Sequence, residues 1–264
     1  MLAPGSDRIE APFPDILIAC GRASLAFSTR VRRWSGGRTF VVQLQDPRTD
    51  LSAFDLVIPP MHDGLTGPNV FPILGAPNRI TPARLTEGLE AFRARIEPLP
   101  GPRVALLVGG SSKAYEITGE RAGRLADQTR AAVQAVGGSL LATFSRRTPA
   151  TVRADMMCRL SDVAGWIWDG EGPNPYFAFL EAADHVLVTE DSVNMAAEAA
   201  ATGKPVHILG LDGGSPKFEA YHAALQARGA TRPFSGALDS WTYEPLDETA
   251  RAAREVLSRM AARH

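Results

Sequence analysis

The 264-residue chain concentrates its polar, chemistry-bearing residues in a few short runs. In VGGSSKAY (108–115), Gly109 and Gly110 permit close backbone approach, and Ser111, Ser112 and Lys113 supply hydroxyls, amides and a cation, a set suited to a diphosphate. The run matches neither G-x-x-x-x-G-K-[ST] nor G-x-G-x-x-G, so ATP hydrolysis at a P-loop and dinucleotide binding lose support. Ser145, Arg146, Arg147 and Thr148 put two guanidinium groups beside an expected helix start, where free amides and the helix dipole already favour an anion. Farther on, Glu190 and Asp191 can accept hydrogen bonds from ribose hydroxyls, and Ser192 opens a helix whose amides can take a phosphate. Glu198, deeper in that helix, reads equally as a surface residue. Asn174 and Tyr176 close a glycine-rich polar loop that suits a base or sugar and suits a plain connection equally well. Lys217, in GGSPKF, either closes over a phosphate or lies in solvent. For proton transfer the informative pair is His62 and Asp63 in PPMHDGLTGPNV, an imidazole and a carboxylate able to activate an acceptor hydroxyl or simply to cap a turn.

These runs fall between elements of two alternating series. Strands are expected at 103–108, 139–144, 165–168, 185–189 and 205–209, separated by stretches long enough for crossover helices. Thr118 can cap one helix and Ser192 another, and Thr148-Pro149 and Asn174-Pro175 each set a capping residue before proline. A shorter series precedes them, with strands at 15–20, 38–44 and 54–59 and a helix near 24–34. The polar runs all follow strand carboxyl ends, where open parallel sheets bind ligands. The expected architecture is therefore α/β, with two Rossmann-like domains of parallel sheet. Pro98, Pro100 and Pro102 mark the boundary between a domain at 1–98 and one at 99–246, and an amphipathic helix at 247–264 packs back on the body.

Composition narrows the function classes. Lys+Arg 28 against Asp+Glu 29 gives a net charge of −1, which argues against a nucleic-acid-coating or polybasic membrane protein. No apolar run is long enough for a membrane span and the start lacks a secretory pattern, so a cytoplasmic location is expected. Cys20 and Cys158 stand outside any C-x-x-C or Cys/His cluster and read as buried thiols. His185 and His207 alternate with apolar residues and read as core histidines.

Several of these segments together carry a resemblance. VQLQDPR (42–48), HDGLTGPNV (62–70), LVGGSSKAY (107–115), SRRTP (145–149), the long run 169–206 and KFEAYH (217–222) resemble the mitochondrial fission factor family, in its bacterial branch. The resemblance runs from about residue 15 to 236 and implies a GT-B glycosyltransferase-like fold, with the nucleotide sugar held by the C-terminal domain. Members usually begin with a further βα unit, so the N-terminal domain is expected to be truncated relative to them. An NAD-dependent epimerase of the short-chain type is disfavoured, because no tyrosine has a lysine four residues later.

Two functions follow as expectations. The first is a metal-independent transferase that takes a nucleotide-diphosphate sugar as donor with no further cofactor, no D-x-D motif being present. Gly110, Ser111, Ser112 and Arg146 would stabilise the leaving diphosphate, Glu190 or Asp191 would hold the ribose, and His62 or Asp63 would be the base. The second is a non-catalytic nucleotide-sugar-binding or scaffold protein that recruits a protein partner, as the plant members recruit a dynamin-related GTPase. Both leave room for peripheral membrane contact and neither involves nucleic acid.

Overall fold

The computed structural model describes Gly5 and residues 9–263. By packing the chain divides into two compact units, residues 1–77 with 248–264, and residues 78–247.

The first unit is built on parallel strands β1 (Ile16–Cys20), β2 (Phe40–Leu44) and β3 (Leu56–Ile58), hydrogen-bonded in that order. Helix α1 (Leu25–Trp34) follows β1. On one face Val41, Phe54 and Val57 are buried, with the half-buried Leu17 and Leu25 packed against them. On the other, Phe40, Val42, Leu56, Ile58 and Ile73 meet Ala252, Val256 and Met260 of α8 (Glu248–Ala261), spaced four apart on one helical stripe. Glu248 anchors that helix: buried at 3% exposure, its carboxylate accepts from the Leu74 amide at 2.8 Å and pairs with Arg251 at 2.6 Å.

The second unit contains α2 (Pro82–Ile96), β4 (Arg103–Val108), β5 (Tyr115–Glu116), α3 (Gly119–Ala135), β6 (Ser139–Phe144), α4 (Ala150–Arg159) and β7 (Gly165–Ile167). It continues through α5 (Tyr176–Ala182), β8 (His185–Thr189), α6 (Val193–Ala200), β9 (Val206–Leu209), β10 (Asp212–Gly213), α7 (Pro216–Ala227) and β11 (Thr231–Pro233). Six strands form one parallel sheet in the order β11-β9-β8-β4-β6-β7. This is the doubly wound order, and it reverses between β4 and β8. Val104, Leu106 and Val108 pack under α3 and α4, while Ala105 and Leu107, of opposite parity, are equally inaccessible, so helices cover both faces. The short antiparallel pair β5 and β10 ties the loop after β4 to the loop after β9.

Three features depart from the sequence-based expectation. The packing boundary falls after Pro77 and not at residue 98, because α2, for which no helix is expected in the sequence, lies against α5. Phe92 sits 5.3 Å from Trp166 and the Arg95 guanidinium 3.9 Å above the same indole. Neither Thr148 nor Asn174 is the N-cap of its helix; Pro149 and Pro175 hold those positions at α4 and α5, the threonine hydroxyl is used elsewhere, and Asn174 accepts from the Tyr176 amide one position farther out. Cys20 and Cys158 are exposed, not buried, Cys20 at the end of an edge strand and Cys158 on the outer face of α4.

His185 and His207 do lie inside, 6% and 2% exposed, with ring nitrogens 3.5 Å apart on neighbouring strands. Phe234 and Trp241 pack on His207 at 5.9 and 5.0 Å. Burial, then the neighbouring His185, pushes His207 down to about 4. Between about 6.5 and about 4 the unfolded chain therefore binds the proton that the folded chain refuses, so stability falls as pH drops through that window and is unaffected above it. The expected loss is about 1–2 kcal/mol after solvent screening. Urea midpoints at pH 7 and pH 4.5 measure it, and His207→Phe should flatten the difference; an undiminished acid loss in that variant would contradict the assignment.

Candidate functional site

The carboxyl edge of the six-stranded sheet brings the glycine-serine turn, the arginine pair and the acidic turn together. Their meeting point is Asp191, just beyond β8 at the strand-order reversal, with its side chain fully buried. Its Oδ2 accepts from the Gly110 amide at 2.9 Å and from Arg147 Nη2 at 3.0 Å, and its Oδ1 accepts from Thr189 Oγ1 at 2.7 Å. The Gly109 amide donates to Thr189 Oγ1 at 2.7 Å, and Thr148 Oγ1 donates to the Gly109 carbonyl. The two glycines are dictated by this approach. A Cβ on Gly109 would stand 2.2 Å from Asp191 Oδ1, and one on Gly110 would stand 2.2 Å from the Arg147 carbonyl oxygen.

This knot changes what several residues can offer a ligand. The Gly109 and Gly110 amides, expected to face a diphosphate, are taken by Thr189 and Asp191. Arg147 commits Nη2 to Asp191, while the rest of its half-exposed guanidinium faces solvent. Glu190 accepts from the Leu211 amide at 3.1 Å through Oε2, so it supports the turn after β9. Ser192 caps α6 through the Met195 amide at 3.4 Å. Ser145 Oγ accepts from the Arg147 amide at 3.1 Å.

Among the described residues, two concave surfaces open on this edge. The first, of about 530 Å³, is an open groove lined by Ser111, Ser112, Lys113, Tyr115 and Asp212 among others. Its serines shape the turn: Ser111 Oγ accepts from Ile117 N, and Ser112 Oγ from Ala114 N and Tyr115 N, each at 3.2 Å. Burial, with Glu190 beside it, pushes the Tyr115 phenol up. The second, of about 690 Å³, gathers Arg146 and Ser145 from the turn after β6, Trp168 after β7, Asn174 and Tyr176 at the start of α5, and Met195 and Glu198 on α6, with Arg79 at its margin. Asn174 Oδ1 accepts from the Tyr176 amide at 3.0 Å, and the Tyr176 phenol donates to Glu198 Oε2 at 2.6 Å. Burial raises the Glu198 carboxyl, against the opposing pull of the Tyr176 hydrogen bond and of Arg79.

Of the candidates from sequence, Arg146, Ser145, Asn174 and Tyr176 thus share one cavity; Ser111, Ser112 and Lys113 share the groove. Lys217 stands exposed in the first turn of α7 and lines neither. His62 and Asp63 form a half-buried turn, Met61–Asp63, after β3 in the first unit. Glu198, evenly weighed in the sequence, lines the second cavity. Its signal was the three-residue spacing from Met195, which sets both on one face of α6. Arg79 had none, since nothing local ties residue 79 to α5 or α6.

Comparison with known proteins supplies the lineage. A family model for mitochondrial fission ELM1 matches residues 1–260. The chain belongs to this family. It is 35% identical over 277 residues to the mitochondrial fission protein ELM1 of Arabidopsis thaliana, an alignment covering 95% of this chain and 65% of that protein. An uncharacterised protein of Rickettsia prowazekii is 25% identical over 292 residues, covering 95% of this chain and 81% of its own. Among solved structures, UDP-GlcNAc 2-epimerase from Methanocaldococcus jannaschii aligns with a TM-score of 0.59 at 13% identity, over 93% of this chain and 77% of that one. The Neisseria meningitidis UDP-GlcNAc 2-epimerase bound to UDP-GlcNAc aligns with a TM-score of 0.53 at 14% identity, over 92% and 68%. These likenesses establish the GT-B-like α/β fold with parallel sheets. No helix among the described residues is long and apolar enough to cross a membrane.

Because Asp191 is buried and multiply bonded, Asp191→Ala should cost about 2–4 kcal/mol, chiefly through the buried Gly110 amide and Thr189 hydroxyl that lose their acceptor, since the half-exposed Arg147 regains water. The exposed Glu120–Arg124 pair is a control, and Glu120→Ala should leave stability within error. Urea denaturation of the two variants checks this; equal small effects would show that Asp191 ties nothing together.

Proposed function

We propose that residues 78–247 bind a nucleoside-diphosphate sugar and that the chain is a metal-independent glycosyltransferase of the GT-B type. One observation carries the reading: a cation, an amide, aromatic surface and a carboxylate converge in a single cavity of about 690 Å³ beside the strand-order reversal, the size and makeup of a small-molecule pocket.

In this reading the nucleoside enters that cavity, its base against Trp168 and its ribose hydroxyls donating to Glu198 in place of Glu190 or Asp191. Arg146 and the free amides at the start of α6 take the diphosphate, with Ser111, Ser112 and Lys113 toward the sugar end. The anomeric carbon–oxygen bond to the diphosphate breaks, the acceptor oxygen bonds to that carbon, and the acceptor proton passes to His62 or Asp63. Charge on the departing diphosphate is what Arg146 and the helix amides stabilise.

The names of the fold relatives, UDP-GlcNAc 2-epimerases, favour a nucleotide sugar as ligand. The Arabidopsis relative's name, a fission protein, favours a second reading: a non-catalytic nucleotide-sugar-binding or scaffold protein that recruits a protein partner. Calorimetric titration with UDP, GDP and their sugars, followed by a hydrolysis assay, separates the two. Turnover supports the transferase, binding without turnover supports a recruiting protein that holds a nucleotide sugar, and no binding overturns the transferase and supports pure scaffolding. Arg146→Ala should weaken nucleotide diphosphate binding about ten- to a hundredfold, the worth of a charge-assisted hydrogen bond. Unchanged affinity would remove Arg146 from the site.

A further inference from the structure

Tyr176 reads in the sequence as an aromatic that would touch a base or sugar. The structure commits its polar end elsewhere. Its amide is fixed by Asn174 Oδ1 at 3.0 Å, which sets the first residue of α5, and its ring meets Phe177 edge-on at 5.9 Å. From that anchored position the phenol crosses to α6 and donates to Glu198 Oε2 at 2.6 Å. A phenol has a single proton to donate, and the bond to Glu198 uses it. Glu198 keeps Oε1 and the remaining lone pairs for the cavity that both residues line.

We propose that Tyr176 is a positioning residue, holding the Glu198 side chain in the orientation and charge state that accept two ribose hydroxyls. It thereby sets both the preference for ribose over deoxyribose and the acid limit of nucleotide binding. The inference rests on the nucleotide reading of this cavity and adds to it a residue that acts through another.

The groups facing Glu198 come from four other elements. Tyr176 reaches it from α5, and Arg79 from the segment before α2, where its guanidinium lies 5.9 Å over Phe177. Arg146 lines the same cavity from the turn after β6. Tyr221 on α7 is near enough for Glu198 to help raise its phenol, and it donates its own proton to the Val193 carbonyl at 2.8 Å. Burial pushes the Glu198 carboxyl up, and the Tyr176 hydrogen bond is the first of the two influences that pull it down. Removing the phenol therefore moves that carboxyl further up, toward neutrality. A protonated carboxyl accepts less well, and without the phenol the side chain is also free to turn.

The test measures Kd for UDP and GDP, each beside its 2′-deoxy form, from pH 5 to pH 8, in the wild type, Tyr176→Phe and Glu198→Gln. The wild type should prefer ribose about tenfold, the worth of one hydrogen bond to a charged acceptor. Tyr176→Phe should narrow that preference at least threefold at pH 6.5 and shift the acid limb of binding to higher pH, with much of the lost affinity returning at pH 8. Glu198→Gln should abolish the pH dependence of the ribose preference, leaving only the limb that ribo and deoxy forms share through the nucleotide's own terminal phosphate. If Tyr176→Phe weakens ribo and deoxy forms equally and leaves the limb in place, the tyrosine is only structural and the inference fails. If the wild type binds none of the four nucleotides, the nucleotide reading fails with it. An unchanged thermal midpoint in Tyr176→Phe shows that the comparison is made on folded protein.

Discussion

A carboxylate sealed from water must be paid for in hydrogen bonds, and Asp191 receives them from three different segments of chain: Gly110 after β4, Arg147 after β6 and Thr189 at the end of β8. The constraint explains why glycines occupy 109 and 110, since a methyl group at either position would collide with the knot. It also explains why the arginine pair is split in function. Arg147 neutralises the buried charge, which leaves Arg146 to face the cavity.

From that tie the rest of the edge follows. With the turns after β4, β6 and β8 fixed to one another, α6 starts at a fixed place and Glu198, farther along the helix, comes to rest beside Tyr176. The β5–β10 pair extends the same edge by joining the turns after β4 and β9, and Glu190 braces the second of them through the Leu211 amide. The acidic turn is thus architectural where the sequence suggests recognition, and the carboxylate that lines the cavity is one that the sequence leaves ambiguous.

Much of the fold was legible because β-branched runs bounded by glycine and proline admit few alternatives. Five of the six strands of the second sheet, all but β11, and the three of the first fall where their residues predict, and Thr118 and Ser192 cap their helices as read. The short strand β11 and the β5–β10 pair had no such run. Helix α2 escaped although Leu85, Leu89, Phe92 and Ile96 repeat at helical spacing and Thr81 caps it before Pro82; what no local pattern records is its packing against α5 and against Trp166 of β7. At the site, residue type and position identified the right loops and not the direction of each side chain. Asp191 and Glu190 look outward-facing in sequence because acidic residues after a strand often meet ribose. The packing of Gly109 against Asp191, far apart along the chain, decides otherwise, and no local pattern records it.

The most direct test is a crystal structure of the protein with UDP bound. The account predicts density for the nucleoside in the cavity of Arg146, Trp168, Tyr176 and Glu198, diphosphate density at the start of α6, and an Asp191 carboxylate still held by Gly110 and Arg147. Nucleoside density outside that cavity, or an Asp191 that has released both partners to the phosphates, would contradict it.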